Sequence, residues 1–240
     1  MAAVRSFVQL LRQWAATRQQ PLVRRPLRAA PPQPPDPFGG LIPRSLSQLR
    51  TEAHIALIAA WFLKTIDVPG DVCEFGCFRG TMSIKFAAAL KALDRNKTVF
   101  AFDTFEGFQI DDPAGGALGA GAYSDNEDAF EELQRWSRLI PVRPVKGDAR
   151  ETCKQLAAPL SFVWLDLDFD VLMDPVLDGI WPLLGDETIV GIDDVGRPET
   201  PGVEPWVDRV TQAGRLIELA RYADDFIRFY KPARNAPVGR

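Results

Sequence analysis

The sequence is poor in the residues that carry soft-metal, redox or imidazole chemistry. Its 240 residues include three cysteines, one histidine, three methionines and three tyrosines. Cys73, Cys77 and Cys153 are too few, and odd in number, for a disulfide scaffold; they read as buried thiols of a reducing compartment. Cys73 and Cys77 are not a zinc signature, because no second Cys/His pair follows and His54 lies in a different segment. No run approaches the ~20 apolar residues of a membrane span. The richest stretch, Ile55–Leu63, has the length of a core-helix segment, and Arg12 and Arg18 interrupt any secretory apolar region. Lysine is missing from the first 44 residues, which carry seven arginines and a single acid, Asp36. Their balance of +6 leaves −10 on the other 196 residues. One homogeneous domain is thereby excluded, and so is a main domain that binds nucleic acid through bulk positive charge.

What is present divides the chain into an arm (1–44) and a domain (45–240). In residues 1–20, Val4, Phe7, Val8, Leu11 and Trp14 recur at helical spacing. Residues 21–43 hold eight of the 20 prolines, which neither a helix nor a central strand accommodates, so they read as an extended linker. The arm is expected either to dock on a partner subunit, giving a homo-oligomer, or to be disordered. Contact with an anionic membrane surface without insertion and an organelle presequence are its other readings. The protein is expected in the cytoplasm.

From Ser47 onward, apolar helical and strand patterns alternate. A helix is expected over 48–66, stopped by Val68-Pro69-Gly70. Strands are expected at Val72–Phe75, Thr98–Phe102, Pro141–Val145, Ser161–Leu165 and Thr188–Ile192. Helices are expected at Thr81–Leu93, Asn126–Trp136 and Leu172–Leu184. Two late strands, Arg215–Leu219 and Phe226–Tyr230, close the chain. The alternation predicts an α/β fold: a doubly wound, Rossmann-like, mostly parallel sheet with helices on both faces and a late antiparallel edge strand.

Ligands of such sheets bind beyond the carboxyl ends of the strands, so the polar strand ends carry the functional reading. The first strand runs into Glu74-Phe75-Gly76-Cys77-Phe78-Arg79-Gly80. Gly76 permits a tight turn and close ligand approach, and Arg79 with the following helix start suits an anion. The spacing is not that of a dinucleotide fingerprint. Asp103 ends the second strand, where a carboxylate suits a ribose diol. Asp148, after the third strand, suits an exocyclic adenine amine. Asp166-Leu167-Asp168-Phe169-Asp170 and Asp193-Asp194 follow the fourth and fifth strands. Neighbouring strands bring these acids together, and converging carboxylates repel unless some protonate or a cation joins them. All-oxygen donors suit Mg²⁺, Mn²⁺ or Ca²⁺ rather than zinc. Solvated acids and helix caps are the plain alternative.

Residues 49–198 resemble the macrocin O-methyltransferase (TylF-type) family of class I methyltransferases. The likeness rests on Val68-Pro-Gly-Asp-Val-Cys-Glu-Phe-Gly-Cys-Phe-Arg-Gly80, Phe102-Asp-Thr-Phe-Glu-Gly107, Leu165-Asp-Leu-Asp168 and Ile192-Asp-Asp194. It implies S-adenosylmethionine as methyl donor, Mg²⁺ (or Mn²⁺) as cofactor and a sugar-like hydroxyl as acceptor. On the matching positions it implies Glu74, Gly76 and Arg79 beside the methionine part, Asp103 on the ribose and Asp148 by the adenine. Asp166, Asp193 and Asp194 would hold the metal, and Asp168 would be the general base. Leu167 replaces a glycine, Val195 a tyrosine and Thr81-Met82 a Gly-Gly type continuation, so the acceptor side departs from the family pattern. The long Gly-rich segment Phe105–Tyr123 is expected as a lid over the site, with Tyr123 near the acceptor. A different enzyme on this scaffold, such as a cephalosporin-hydroxylase-like protein, and a non-catalytic cofactor-binding module are the competing readings. A dehydrogenase is disfavoured, because no Tyr-x-x-x-Lys pair occurs.

Overall fold

The computed structural model describes residues 51–124, 126 and 128–233. The amphipathic N-terminal segment, the proline-rich linker and the 44/45 boundary lie outside the described residues.

The elements follow one another as expected for an α/β chain. Helix α1 spans Glu52–Lys64 and is capped by Thr51, whose side chain accepts from the His54 amide. Strand β1 (Asp71–Phe75) leads to α2 (Thr81–Ala92), then β2 (Val99–Asp103), α3 (Ala129–Trp136) and β3 (Val142–Lys146). A single turn, α4 (Ala149–Thr152), precedes β4 (Leu160–Leu165). Then come α5 (Asp170–Ile180), β5 (Leu184–Ile192), α6 (Val203–Gln212), β6 (Leu216–Tyr222) and β7 (Ile227–Pro232). Helix α5 ends earlier than its sequence pattern suggests, because Trp181–Leu183 tighten into a 3₁₀ turn around Pro182. Helix α6 and the single turn α4 are the helices that the sequence reading leaves unassigned.

The strands form one sheet in the order β3-β2-β1-β4-β5-β7-β6. β1 to β5 pair in parallel, and β7 runs antiparallel to both β5 and β6. The reversed pairings therefore lie at one end of the sheet. At the other end, β3 carries Pro144 opposite Ala101. An edge strand tolerates that proline because its outer side donates to no neighbour.

Side-chain alternation along the strands separates two cores. Val72, Phe162, Trp164 and Phe229 pack with α1 and α2, where Phe62 and Phe86 fill the layer. Cys73, Phe75, Val163 and Leu165 face the other way, toward Met173 and Leu177 of α5 and Trp206 of α6. A sheet apolar on both faces needs helices on both faces, which is the doubly wound arrangement. The three cysteines are free and buried, as apolar fillers. No helix among the described residues is long and apolar enough to cross a membrane.

The order reverses around β1: the chain winds outward through β2 and β3, then returns to β4 and β5 on the other side. The crevice beyond the carboxyl ends of these strands is where such a sheet accepts a ligand.

Candidate functional site

A cavity of about 230 Å³ opens at that crevice. Gly76, Asp103, Asp148, Asp166, Asp168, Asp193 and Asp194 all line it. The sheet thus brings together seven of the nine residues singled out in the sequence.

The first turn is shaped by backbone contact. Gly76 has φ +82°, and a Cβ there would lie 1.8 Å from the Asp166 carbonyl oxygen. The amides of Gly76 and Cys77 both donate to the Phe102 carbonyl, at 2.9 and 3.1 Å. The Asp166 amide donates to Phe75 O at 2.9 Å. The glycine therefore gives the end of β4 room to reach the turn after β1. The space beside it, read from sequence as room for a ligand, is filled by the Asp166 backbone on that side.

Asp103 ends β2 with its carboxylate held on both oxygens. Oδ2 accepts from the Phe78 amide at 2.7 Å, and Oδ1 from the Phe105 amide at 2.7 Å and Asn126 Nδ2 at 3.3 Å. Burial raises its pKa, and these donors act in the opposite sense. Asp148 caps α4 through the Arg150 amide and binds the Arg150 guanidinium at 2.5 Å. That pairing holds its carboxyl below the ordinary range.

The acidic end of the cavity belongs to β4 and β5. One carboxylate oxygen from each of Asp166, Asp168 and Asp194 lies within 4.8 Å of the others. Asp168 and Asp194 both have φ +59°, a left-handed backbone that turns the chain sharply after each strand. Asp193 is 7% exposed and lines the same cavity, but it is not one of the three converging groups. Successive residues leave a strand end in different directions, so the Asp-Asp pair divides. Asp168 is pushed well above the usual carboxylate range, first by burial, then by its hydrogen bond with Asp194 and the charges of Asp166, Asp194 and Asp193. Arg197 pairs with Asp194 at 2.6 Å and offsets part of this charge.

Glu74 and Arg79 do not line the cavity. Glu74 is 1% exposed and accepts from Ser83 Oγ at 2.5 Å, on the α2 side of the sheet. Period-2 alternation sends it there, away from the strand's open end. Arg79 reaches Asp128 at 2.8 Å, before α3. His54 lines the cavity rim and binds Asp225 at 2.9 Å, joining α1 to the turn between β6 and β7.

The Gly-rich segment folds over the cavity and supplies its aromatic wall. Tyr123 meets Phe78 and Phe108 edge-on, with ring centroids 5.6 and 5.7 Å apart. Phe108 stacks on Phe169 at 4.2 Å. The Tyr123 hydroxyl is raised to about 12, by burial and then by the charges of Asp168, Asp166 and Asp194. Asp112 fastens the segment internally by accepting from the Ala114 and Gly116 amides, both at 2.9 Å. Ala117 donates to Glu199 O at 3.2 Å, so the segment also rests on the loop after β5.

Asn126 and Arg197 are cavity-lining residues that the sequence reading does not reach. Arg197 has a faint signal, a cation three residues after an acid pair. Asn126 has none, because only the folded path of the segment brings it to Asp103.

No curated protein sequence matches the chain. The fold is similar to three solved methyltransferases. The calicheamicin methyltransferase CalS11 superposes with a TM-score of 0.67 at 20% identity, over 96% of this chain and 91% of that one. The O-methyltransferase NovP gives 0.61 at 22%, over 75% and 79%. The S-adenosylhomocysteine-bound methyltransferase PaMTH1 of Podospora anserina gives 0.54 at 13%, over 96% and 87%. Residues 73–195, which run from β1 to the acid pair after β5 and so enclose every acid of the cavity, match the family profile described as a methyltransferase domain. With half its length in that match and the sheet order and strand-end site to go with it, the chain belongs to the methyltransferase-domain family.

Proposed function

We propose that the protein is an O-methyltransferase that moves the sulfonium methyl of S-adenosylmethionine to a hydroxyl of a sugar or glycosylated small molecule. The observation that carries this reading is one cavity with two chemistries. A half-buried acid suited to a ribose ends β2, and three carboxylates converge beyond β4 and β5. The acceptor class draws support from similar folds: one CalS11 structure is described as a TDP-rhamnose 3′-O-methyltransferase.

The carboxylate trio fits a hard divalent ion. Its donors are all oxygen, they converge, and their mutual repulsion is relieved by a cation. Asp166 and Asp194 would hold Mg²⁺ or Mn²⁺, with Asp193 close by in the same cavity. When bound, such an ion supplies Lewis acidity toward a coordinated hydroxyl. In the proposed reaction Asp103 and Asp148 hold the nucleoside of the donor. Gly76 borders its methionine part, and Glu74 and Arg79 act from behind by fixing the turn. Asp168 accepts the acceptor's hydroxyl proton on a carboxylate oxygen. The hydroxyl oxygen bonds to the methyl carbon, the carbon–sulfur bond breaks, and S-adenosylhomocysteine leaves. The segment Phe105–Tyr123 closes over the acceptor and limits water.

On the same reading, residues 45–240 are the transfer domain and residues 1–44 an arm that promotes a homo-oligomer, with the protein in the cytoplasm. Titration calorimetry with S-adenosylhomocysteine tests the proposal. The wild type should bind it, and Asp103→Ala should weaken binding by about tenfold or more. A wild type that binds neither S-adenosylmethionine nor S-adenosylhomocysteine, with and without Mg²⁺, would overturn it.

A further inference from the structure

Asn126 sits between the Gly-rich segment and α3. It is 1% exposed, yet it lines the cavity. Its Nδ2 donates to Asp103 Oδ1 at 3.3 Å. That bond fixes the amide, because the flipped side chain would set its carbonyl oxygen against a carboxylate. Its Oδ1 is then a buried acceptor with no partner among the described residues. A buried amide oxygen without a donor is costly, and native proteins rarely keep one unless something fills it.

Asp103 has little capacity to spare. A carboxylate offers roughly four acceptor positions. Asp103 Oδ1 already takes the Phe105 amide and Asn126, and Oδ2 takes the Phe78 amide. The neighbouring Thr104 hydroxyl donates to Gly107 O at 2.9 Å and also bears on the Asp103 carboxylate. At most one position remains, on Oδ2. A ribose presents two vicinal O–H donors, so Asp103 alone does not satisfy both.

We infer that Asn126 is a second ribose-binding residue: Asp103 Oδ2 accepts one hydroxyl of the methyl donor's diol and Asn126 Oδ1 accepts the other. This rests on the methyl-donor reading above and adds a specific partner for the second hydroxyl. It also gives the amide–carboxylate pair a purpose. Asp103 aims the amide, and the amide supplies the acceptor that Asp103 lacks.

Calorimetry on the full-length protein tests it with three probes: S-adenosylhomocysteine and its 2′-deoxy and 3′-deoxy forms. Asn126→Ala should bind S-adenosylhomocysteine about tenfold more weakly than the wild type. The gap should persist for one deoxy compound and vanish for the other, which lacks the hydroxyl that Asn126 receives. Thermal unfolding establishes that the variant is folded, and Asn126→Ser should give the same pattern if the alanine variant is not. A gap of equal size for all three probes would overturn the assignment, since Asn126 would then act only by placing Asp103. Binding by the variant within about twofold of wild type would also overturn it. A wild type that binds none of the probes would overturn the methyl-donor reading itself, and this assignment with it.

Discussion

Asp168 and Asp194 each spend a left-handed backbone conformation on reaching the same small volume. Aspartate tolerates this region better than most residues, but it is still the kind of local strain found where geometry matters more than stability. There burial, then the neighbouring carboxyls, hold the Asp168 carboxyl well above its usual range. Asp168→Asn should therefore lower turnover by about 10²- to 10⁴-fold and leave S-adenosylhomocysteine affinity near wild type. Steady-state kinetics with parallel calorimetry checks this, and unchanged turnover would remove Asp168 from the proton's path. Gly76 tests the architecture at the same scale. Its missing Cβ would overlap the Asp166 carbonyl, and its φ disfavours any side chain. Gly76→Ala should cost about 2 kcal/mol or more of stability, read by denaturant unfolding. A variant as stable as wild type would show that β4 does not close on the turn in this way.

At the scale of elements, the strand–helix alternation was legible because each strand carries a short apolar run and ends at a polar turn. The acids at those ends were legible for the same reason: the fold rule places strand ends at the ligand. Which acids converge was not legible. Asp193 and Asp194 are adjacent in sequence, but the turn after β5 sends only Asp194 to Asp166 and Asp168. Glu74 looks like a strand-end acid, yet strand alternation turns it to Ser83 behind the sheet. Helix α6 had a readable stripe, Val203, Trp206, Val207 and Val210, all buried. Pro205 and the preceding Pro201-Gly202 step mask it, although a proline in the first turn costs a helix little. The aromatic segment gives a prediction at this scale. Tyr123→Ala removes its edge contacts to Phe78 and Phe108 beside the acids. It should raise acceptor KM severalfold, with S-adenosylhomocysteine affinity held. Equal losses for donor and acceptor would show that the segment serves the whole cavity. Helix α4 offers a pH test. Arg150 depresses the Asp148 pKa, so the pair's contribution is full above the ordinary carboxylate range and is lost as pH falls through the depressed value. Both side chains are about 40% exposed, so screening keeps that contribution to about 1 kcal/mol or less. Arg150→Ala should lower Tm slightly at pH 7, and the difference should close below the depressed value.

At the scale of the molecule, the −10 carried by residues 45–240 is not spread evenly. Asp166, Asp168, Asp193 and Asp194 gather around one cavity, where a divalent cation and a sulfonium would offset them. On the proposed reading, the +6 of residues 1–44 belongs to an arm apart from this chemistry. Deleting residues 1–44 should leave S-adenosylhomocysteine affinity unchanged and alter the oligomeric state seen by light scattering. Loss of cofactor binding would place the boundary elsewhere. Methyl transfer at an acidic, metal-assisted site is the central proposal for this protein. Its most direct test is transfer of a labelled methyl group from S-adenosylmethionine to a panel of nucleotide sugars and glycosides, before and after metal removal. The predicted result is transfer to at least one sugar hydroxyl, abolished by chelation and restored by Mg²⁺ or Mn²⁺. Transfer that is indifferent to chelation would contradict the metal role of Asp166 and Asp194, and binding of the donor with no transfer to any hydroxyl would contradict the proposed activity.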